Sequence, residues 1–298
     1  MPDGKWERAA MRSDSTLLGV NSGTFESRVN CLSFLFFHDL NNYPLFELES
    51  LIELAKRTAP GQNYWSNGTV NVADSWAART EHHMSLSDTL RNIEMNDSLV
   101  VLKGMEQDEM YRPTLDRLFE NIGCMCGPHF RQDVEHSRGT LLIASPRRIT
   151  SYHIDADSNF LLQIRGGKAI HVFEMPDRRL LPASQVERFF SGDLNGAVFS
   201  SPRQDEAKSY SLRGGWGVHI PPLTPHWAQV QDSVSIALSV NFDLHSIRRM
   251  RTVYRINHRL RRLGLSPREP GISRWRDDLK LGAREIVRRL RPSNRPYE

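Results

Sequence analysis

The stretch Thr150-Ser151-Tyr152-His153-Ile154-Asp155 places a histidine and a carboxylate two positions apart. In an extended strand, residues i and i+2 point to the same face, so His153 and Asp155 can reach one metal ion without special backbone geometry. A second histidine, His226, follows 71 positions after Asp155, in the Pro-rich stretch PPLTPHW. Two histidines and one carboxylate form a three-ligand set that leaves coordination positions open, as a mononuclear non-haem iron site requires. The three residues are therefore predicted to bind one metal ion from strands that are distant in sequence.

Strand-like segments flank both halves of this pattern. Phe160–Ile164 and Ala169–Phe173 follow the H-x-D pair with two glycines between them, and Val234–Phe242 follows the distal histidine. Short apolar runs bounded by turn residues are typical of buried strands. The order of these elements predicts a double-stranded β-helix, the cupin or jelly-roll barrel of two sheets. We expect a mainly β fold with flanking helices and a C-terminal helical extension.

The segment from Thr150 to Phe242 resembles the JmjC branch of the iron(II)- and 2-oxoglutarate-dependent oxygenases. The likeness is closest to the small hydroxylases, such as the asparaginyl hydroxylase that acts on hypoxia-inducible factor, and to bacterial cupin-like JmjC proteins. In that family a Thr precedes the first metal His by three residues, an Asn follows it by six and a Lys by fifteen, and another Asn follows the distal His by fifteen. All four are present here at that spacing. The resemblance implies iron ligands His153, Asp155 and His226, and 2-oxoglutarate contacts Thr150, Asn159, Lys168 and Asn241.

The chemistry of the four cosubstrate residues agrees with these roles. Lys168 lies on an otherwise apolar strand, where a cation is costly to bury without an anionic partner. Thr150 and Asn159 can give neutral hydrogen bonds to carboxylate oxygens. Asn241 is an amide in an apolar strand and needs a partner. Taken singly, His153 could be a satisfied core histidine, Lys168 a surface residue and Asn241 a strand-end cap, and the barrel could bind metal without this chemistry.

The resemblance implies an oxygenase that uses Fe(II), 2-oxoglutarate and O2 to hydroxylate an unactivated C–H bond, with no catalytic residue beyond the metal ligands. The chain shows no zinc finger or chromatin-reader motif, which favours hydroxylation of an amino-acid side chain in a protein or peptide over demethylation. One alternative substrate is a free amino acid or a natural-product precursor. Two other classes are a non-catalytic cupin-like regulator with a basic tail and a cupin isomerase or dioxygenase with another metal. Asp155 and Lys168 argue against the last.

Composition indicates a soluble globular protein. The chain has 298 residues, of which 39% are hydrophobic and 25% are charged. Its longest apolar run, near Leu32–Phe37, is far shorter than the ~20 residues of a membrane span. The N-terminus carries no signal-peptide apolar core, so we expect a cytoplasmic protein without a membrane role.

The cysteines do not indicate a disulfide framework. The chain has three, and Cys124-Met125-Cys126 with His129 offers only part of a zinc motif. We expect a packed or loop thiol segment there. His82 and His83 are adjacent residues in a polar stretch and would chelate a metal poorly.

Three regions follow from the pattern: a loose lead-in over residues 1–30, a barrel domain with N-terminal helices over 31–245, and a basic helical tail over 246–298. Within the barrel domain we expect an insert over 174–207, acting either as a lid or as surface decoration. Periodicity and turn residues predict the following elements: helices at Leu45–Arg57, Ser87–Glu94 (capped by Ser87), Tyr111–Ile122 and Ser184–Phe190, and strands at Leu99–Leu102 and Gly139–Ala144.

The tail differs from the rest of the chain in charge. It carries 16 Lys and Arg against 5 Asp and Glu, a net charge of +11, whereas the whole chain is +4 and residues 1–245 are therefore −7. Two amphipathic helices are predicted, one with Ile247, Met250, Tyr254 and Leu260 on its apolar face, and one with Trp275, Leu279, Ile286 and Leu290. We expect these faces to dock on the barrel or to form a homodimer, as the resemblance also implies. Nucleic acid is a partner that the basic pattern allows but does not favour.

Overall fold

The computed structural model describes residues 18–19, 22–59, 61–75, 84–174 and 179–290. Within these ranges the chain forms twelve strands and seven α-helices. The strands are β1 (Leu18–Gly19), β2 (Phe34–His38), β3 (Asn63–Ser66), β4 (Leu99–Lys103), β5 (Val134–Ala144), β6 (Ile149–His153), β7 (Ser158–Arg165), β8 (Gly167–Val172), β9 (Lys208–Arg213), β10 (Trp216–Ile220), β11 (His226–Val230) and β12 (Ser235–Leu244). The helices are α1 (Ser22–Arg28), α2 (Leu48–Arg57), α3 (Leu86–Arg91), α4 (Arg112–Asp133), α5 (Ala183–Phe190), α6 (His245–Arg262) and α7 (Arg274–Leu290).

The strands form two antiparallel sheets. The larger sheet has the order β1-β2-β10-β7-β12-β5-β4-β3, and the smaller has the order β6-β11-β8-β9. Gly166 turns the chain from β7 into β8 with φ of +72°, and a Cβ at that position would lie 2.1 Å from the carbonyl oxygen of Val234. The turn therefore requires glycine. The predicted double-stranded barrel with flanking helices is confirmed.

The larger sheet is buried on both faces, which explains why its central strands read as continuous apolar runs. One face packs against the smaller sheet, and this inner core includes Leu161, Ile170, Leu212, Ala228 and Ala237. The other face packs against the N-terminal helices through a cluster that includes Phe25, Leu51, Leu118, Phe160 and Val240. Strands buried on both faces lose the apolar–polar alternation that marks a half-exposed strand.

A third apolar cluster covers the outer face of the smaller sheet. It joins Tyr152 and Trp227 of that sheet to Val186 and Phe190 of α5 and Tyr254 of α6. The described part of the insert between β8 and β9 therefore packs against the outer face of the smaller sheet, next to β6, which carries His153. Its helix begins at Ala183, one residue before the predicted start.

Several local predictions need correction. Residues 22–28, inside the predicted loose lead-in, form α1, and its Phe25 is fully buried. Helix α3 is capped by Ser85 and not by Ser87, because the Ser85 hydroxyl accepts a hydrogen bond from the amide of Asp88. The helix predicted to end at Ile122 continues to Asp133 through a kink at Gly127, whose φ is +83°.

The two tail helices differ in how they are packed. Helix α6 lies against the body, with Val253, Tyr254 and Asn257 buried. Helix α7 leaves Trp275, Leu279 and Ile286 exposed at 61–62% of their surface. For α7, the prediction that this apolar face docks on the barrel of the same chain is therefore wrong. Among the described residues, no helix combines the length and the apolarity that crossing a membrane would need.

Candidate metal centre

His153, Asp155 and His226 come together at one end of the barrel. His153 ends β6, His226 begins β11, and the two residues are direct partners in the antiparallel pairing of these strands. The Nε2 atoms of both histidines lie 3.7 Å from Oδ2 of Asp155, and the three donor atoms lie within 4.8 Å of one another. Two ligands at about 2.1 Å from one ion can be at most about 4.2 Å apart. Both histidine–carboxylate distances fit that limit.

Backbone hydrogen bonds orient both imidazole rings for metal binding. Nδ1 of His153 lies 2.7 Å from the carbonyl oxygen of Ser151, and Nδ1 of His226 lies 2.9 Å from that of Thr224. A carbonyl oxygen can only accept, so Nδ1 carries the proton and the Nε2 lone pair points toward Asp155. Burial, and then the neighbouring His153, hold the pKa of His226 well below its usual value. His226 is therefore neutral at pH 7, the form that binds a metal.

The Pro-rich turn before β11 holds the segment after β6 that carries Asp155. The amide of Leu223 donates to the carbonyl oxygen of Asp155 at 2.7 Å, and Leu223 itself has φ of +59°. Behind the ligands, the cluster of Tyr152, Ile154 and Phe173 packs against the insert. The segment from Tyr152 to Asp155 is therefore held by a backbone hydrogen bond and by apolar packing on its outer side.

A β-bulge brings Thr150 to the inner face of the barrel. Simple alternation would place Thr150 opposite to His153, because the two residues are three positions apart. The pairing with β11 shifts by one residue, so that His226 faces His153 and Ala228 faces Thr150. Paired residues point to the same face, and Ala228 belongs to the core between the sheets. Thr150 and His153 therefore share the interior.

Lys168 is a buried cation inside the barrel. It is 3% exposed and pairs with Leu212 and Val230 in the strand register, among the apolar residues of the inner core. Within the described part of the chain its ammonium makes no hydrogen bond or ion pair. Burial alone lowers the pKa of Lys168 to about 8. An unpartnered ammonium at this depth favours an anionic ligand beside it.

The two predicted asparagines lie side by side on the facing sheet. Asn159 of β7 and Asn241 of β12 are direct partners in the pairing of these strands. Between them lies Ser239, which is buried and whose hydroxyl is 3.1 Å from Oδ1 of Asn159 and 3.2 Å from Oδ1 of Asn241. Ser239 was not predicted, although its position two residues before Asn241 on the same strand face was a usable signal.

A charged cluster at the rim next to Asn241 was also missed. Arg138 of β5 pairs with Asn241 in the sheet, and its guanidinium binds Asp243 at 2.7 and 3.0 Å and Asp157 at 2.9 Å. Burial and the nearby Asp243 raise the pKa of Asp157, whereas Arg138 opposes this rise. Arg138 and Asp243 are 105 positions apart in the sequence, and no local pattern connects them.

The partial zinc motif on α4 does not form a site. Cys126 is buried in the core, whereas Cys124 and His129 are exposed on other sides of the helix. Within the described ranges, His153, Asp155 and His226 are the one group of three or more potential metal ligands that the fold brings together. His82 and His83 lie outside the described residues.

Comparisons with known proteins identify the fold. No family model and no curated protein matches the chain. Among solved structures, that of Escherichia coli ycfD superposes with a TM-score of 0.50 at 17% identity, covering 93% of this chain and 69% of that one. The E. coli ribosomal oxygenase YcfD in complex with cobalt and 2-oxoglutarate gives a TM-score of 0.48 at 16% identity, with coverage of 93% and 69%. At this identity the likeness is one of fold.

A second neighbour is more remote. An oxalate decarboxylase of Lactobacillus farciminis, in a formate complex, gives a TM-score of 0.24 and covers 36% of this chain and 24% of its own. The two-sheet barrel with flanking helices is thus shared with the ycfD structure over nearly the whole of this chain. The chemistry of the barrel must be argued from the side chains of this chain.

Proposed function

We propose that the chain is an Fe(II)- and 2-oxoglutarate-dependent oxygenase that hydroxylates an unactivated C–H bond of an amino-acid side chain in a protein or peptide. The observation that carries the proposal is the combination of the oriented His153–Asp155–His226 triad with the unpartnered, buried ammonium of Lys168. A triad alone would fit many metal proteins. A triad together with a buried cation in the same barrel fits a metal-chelating cosubstrate that carries a second, remote carboxylate.

Each residue then has a defined task. The two Nε2 atoms and the Asp155 carboxylate would hold the iron, and Lys168 would bind the far carboxylate of 2-oxoglutarate. Thr150, Asn159 and Asn241 would donate hydrogen bonds around the cosubstrate, with Ser239 orienting the two amides. The apolar inner core would help to exclude water from the interior. When bound, the iron supplies dioxygen activation coupled to oxidation of 2-oxoglutarate to succinate and carbon dioxide.

Lys168 also lies at a suitable depth. The register places His226 opposite Val172 and Val230 opposite Lys168, so the lysine lies four residues below the metal ligand along β8. Four residues span about 13 Å of strand. The long side chain of lysine and an extended dicarboxylate can together bridge that distance, which neither could do alone.

The test is succinate formation by the iron-loaded protein. Wild-type protein should convert 2-oxoglutarate to succinate in air, and candidate peptides that are substrates should gain one oxygen atom by mass spectrometry. His226→Ala is the matched inactive control. A non-catalytic cupin-like regulator would bind the metal but give no succinate with any peptide. A hydroxylase of free amino acids would give succinate with amino acids and none with peptides.

We further infer that α7 joins two copies of the chain. Its exposed Trp275, Leu279 and Ile286 repeat on one helical face. The helix is held in place by polar contacts on its other side, where Asp277 accepts from the amide of Gly271 at 2.8 Å and Lys280 donates to Asn257 at 2.7 Å. A fixed helix with a bare apolar face fits a self-complementary interface. Light scattering should give twice the chain mass.

The cytoplasmic location stays a prediction.

A further inference from the structure

Six of the seven arginines of helix α6 fall into two groups, and Arg262 belongs to neither. The helix contains seven arginines and no Asp or Glu. Three of the seven form ion pairs with carboxylates: Arg248 with Glu135, Arg249 with Asp278, and Arg261 with Glu187. These pairs attach α6 to β5, to α7 and to α5. The charge of this group is matched by carboxylates of the folded protein.

The second group forms a stripe without carboxylates. Arg251, Arg255 and Arg259 follow one another at four-residue spacing, so they lie on one side of α6 over about 12 Å. Arg284 of α7 extends the stripe, since its guanidinium donates to the Thr252 hydroxyl at 3.3 Å. Within the described residues, none of the four forms an ion pair with an acidic side chain. We call these four residues the arginine stripe.

Two residues of the stripe, Arg255 and Arg284, are held by hydrogen bonds although the charges of the stripe repel one another. Nε of Arg255 donates to the carbonyl oxygen of Phe190 at 2.6 Å, which fixes the base of this guanidinium against α5. Burial, and then the positive charges of Arg251, Arg284 and Arg259, lower the pKa of Arg255. Four like charges are therefore kept within electrostatic range of one another. A polyanion placed along the stripe would turn this repulsion into attraction.

The stripe and the apolar face of α7 point in different directions. Arg284 is nine positions from Trp275 and five from Leu279, so it lies about 140–180° around the helix from that face. A flat anionic membrane that took up the apolar side chains could not contact the arginines at the same time. A partner that covers the apolar face would likewise leave the arginine stripe open.

We propose that the arginine stripe binds the phosphate backbone of single-stranded RNA. The stripe is one side chain wide and about 12 Å long, which suits one strand better than two. The other sides of α6 are covered by the barrel and by α5, so the helix cannot enter a duplex groove as a free recognition helix does. Its side chains are guanidinium groups, which suit phosphates, and contacts with phosphates carry no base-specific information. RNA offers such strands in its loops and ends.

The test is fluorescence anisotropy of a labelled oligouridylate with the full chain over a range of salt concentrations. The variant Arg251→Gln/Arg259→Gln/Arg284→Gln removes three charges and keeps the Arg255 contact with Phe190. The matched control, Arg91→Gln/Arg147→Gln/Arg165→Gln, removes three exposed arginines of the barrel domain. A third variant with Lys at the three stripe positions keeps the charge.

The stripe variant should bind about tenfold more weakly at low salt, and its log–log salt slope should fall by about 2, at about 0.7 for each lost phosphate contact. The barrel control and the Lys variant should stay within about twofold of wild type. Equal loss in the stripe variant and the barrel control would overturn the proposal, because binding would then follow net charge alone. Tighter binding to duplex DNA, or to phosphatidylserine vesicles, than to the oligouridylate would also overturn it.

Discussion

Replacement of Lys168 by Met should stabilise the ligand-free protein. The side chain is 3% exposed and makes no ion pair within the described residues. Burial moves its pKa from 10.5 to about 8. At about 1.4 kcal/mol for each tenfold change in proton affinity, the charged lysine destabilises the folded state by about 3 kcal/mol at pH 7. Met removes this charge and keeps a side chain of similar length.

The stability gained by Lys168→Met should depend on pH. Below pH 8 the lysine is charged in both the folded and the unfolded chain, and the full penalty applies. Between pH 8 and 10.5 the folded protein loses this proton while the unfolded chain keeps it, so wild-type stability rises with pH. The advantage of Lys168→Met should therefore shrink across this window and vanish above it.

The assay is urea unfolding of metal-free wild type and Lys168→Met between pH 7 and 10. Lys103→Met is the control, because Lys103 is an exposed residue of β4 and its replacement should change the free energy of unfolding by less than about 0.5 kcal/mol. The reasoning would be refuted if Lys168→Met were less stable than wild type at pH 7. That result would mean that the ammonium has a strong partner in the folded protein.

The remaining predictions concern the metal, the cosubstrate and assembly. His226→Ala should lose stoichiometric Mn(II) by metal analysis while its circular dichroism stays native, and unchanged metal content would contradict the assignment. Binding of 2-oxoglutarate to wild type should weaken by about tenfold for each pH unit above 8, because Lys168 must regain its proton to bind; calorimetry that is flat from pH 7 to 9.5 would count against this role. Leu279→Asp should halve the mass measured by light scattering, whereas Met95→Asp, at a residue that is 93% exposed, should not change it. Equal masses for these two variants would exclude α7 as the interface.

The grouping of His153, Asp155 and His226 could be predicted only in part from a local signal. His153 and Asp155 lie two positions apart, whereas His226 lies 71 positions further along the chain and was linked to them by the family spacing. The inward position of Thr150 could not be derived from alternation, since it depends on a bulge in the pairing of β6 with β11. Only the family spacing indicated it. Arg138 was missed because its partner Asp243 lies 105 positions away, whereas Ser239 was missed although one of its partners, Asn241, lies only two positions away.

The helices show a similar division between local and long-range information. The apolar face of α7 was predicted correctly as a face, but periodicity does not tell which surface covers it, and Trp275 remains exposed in the single chain. Helix α1 was missed because its one large buried side chain, Phe25, gives no periodic pattern in seven residues. The extension of α4 past Gly127 depends on a kink that sequence rules treat as an end.

The most direct test of the oxygenase proposal is metal-dependent binding of 2-oxoglutarate. Calorimetry under anaerobic conditions would compare the Mn(II)-loaded and metal-free forms of wild type, His226→Ala and Lys168→Met. We predict one 2-oxoglutarate per chain in Mn(II)-loaded wild type, and affinity lower by about 2–5 kcal/mol in Lys168→Met. Neither metal-free wild type nor His226→Ala should show the Mn(II)-dependent binding. Failure of loaded wild type to bind at millimolar 2-oxoglutarate, or equal binding with and without the metal, would contradict the proposal.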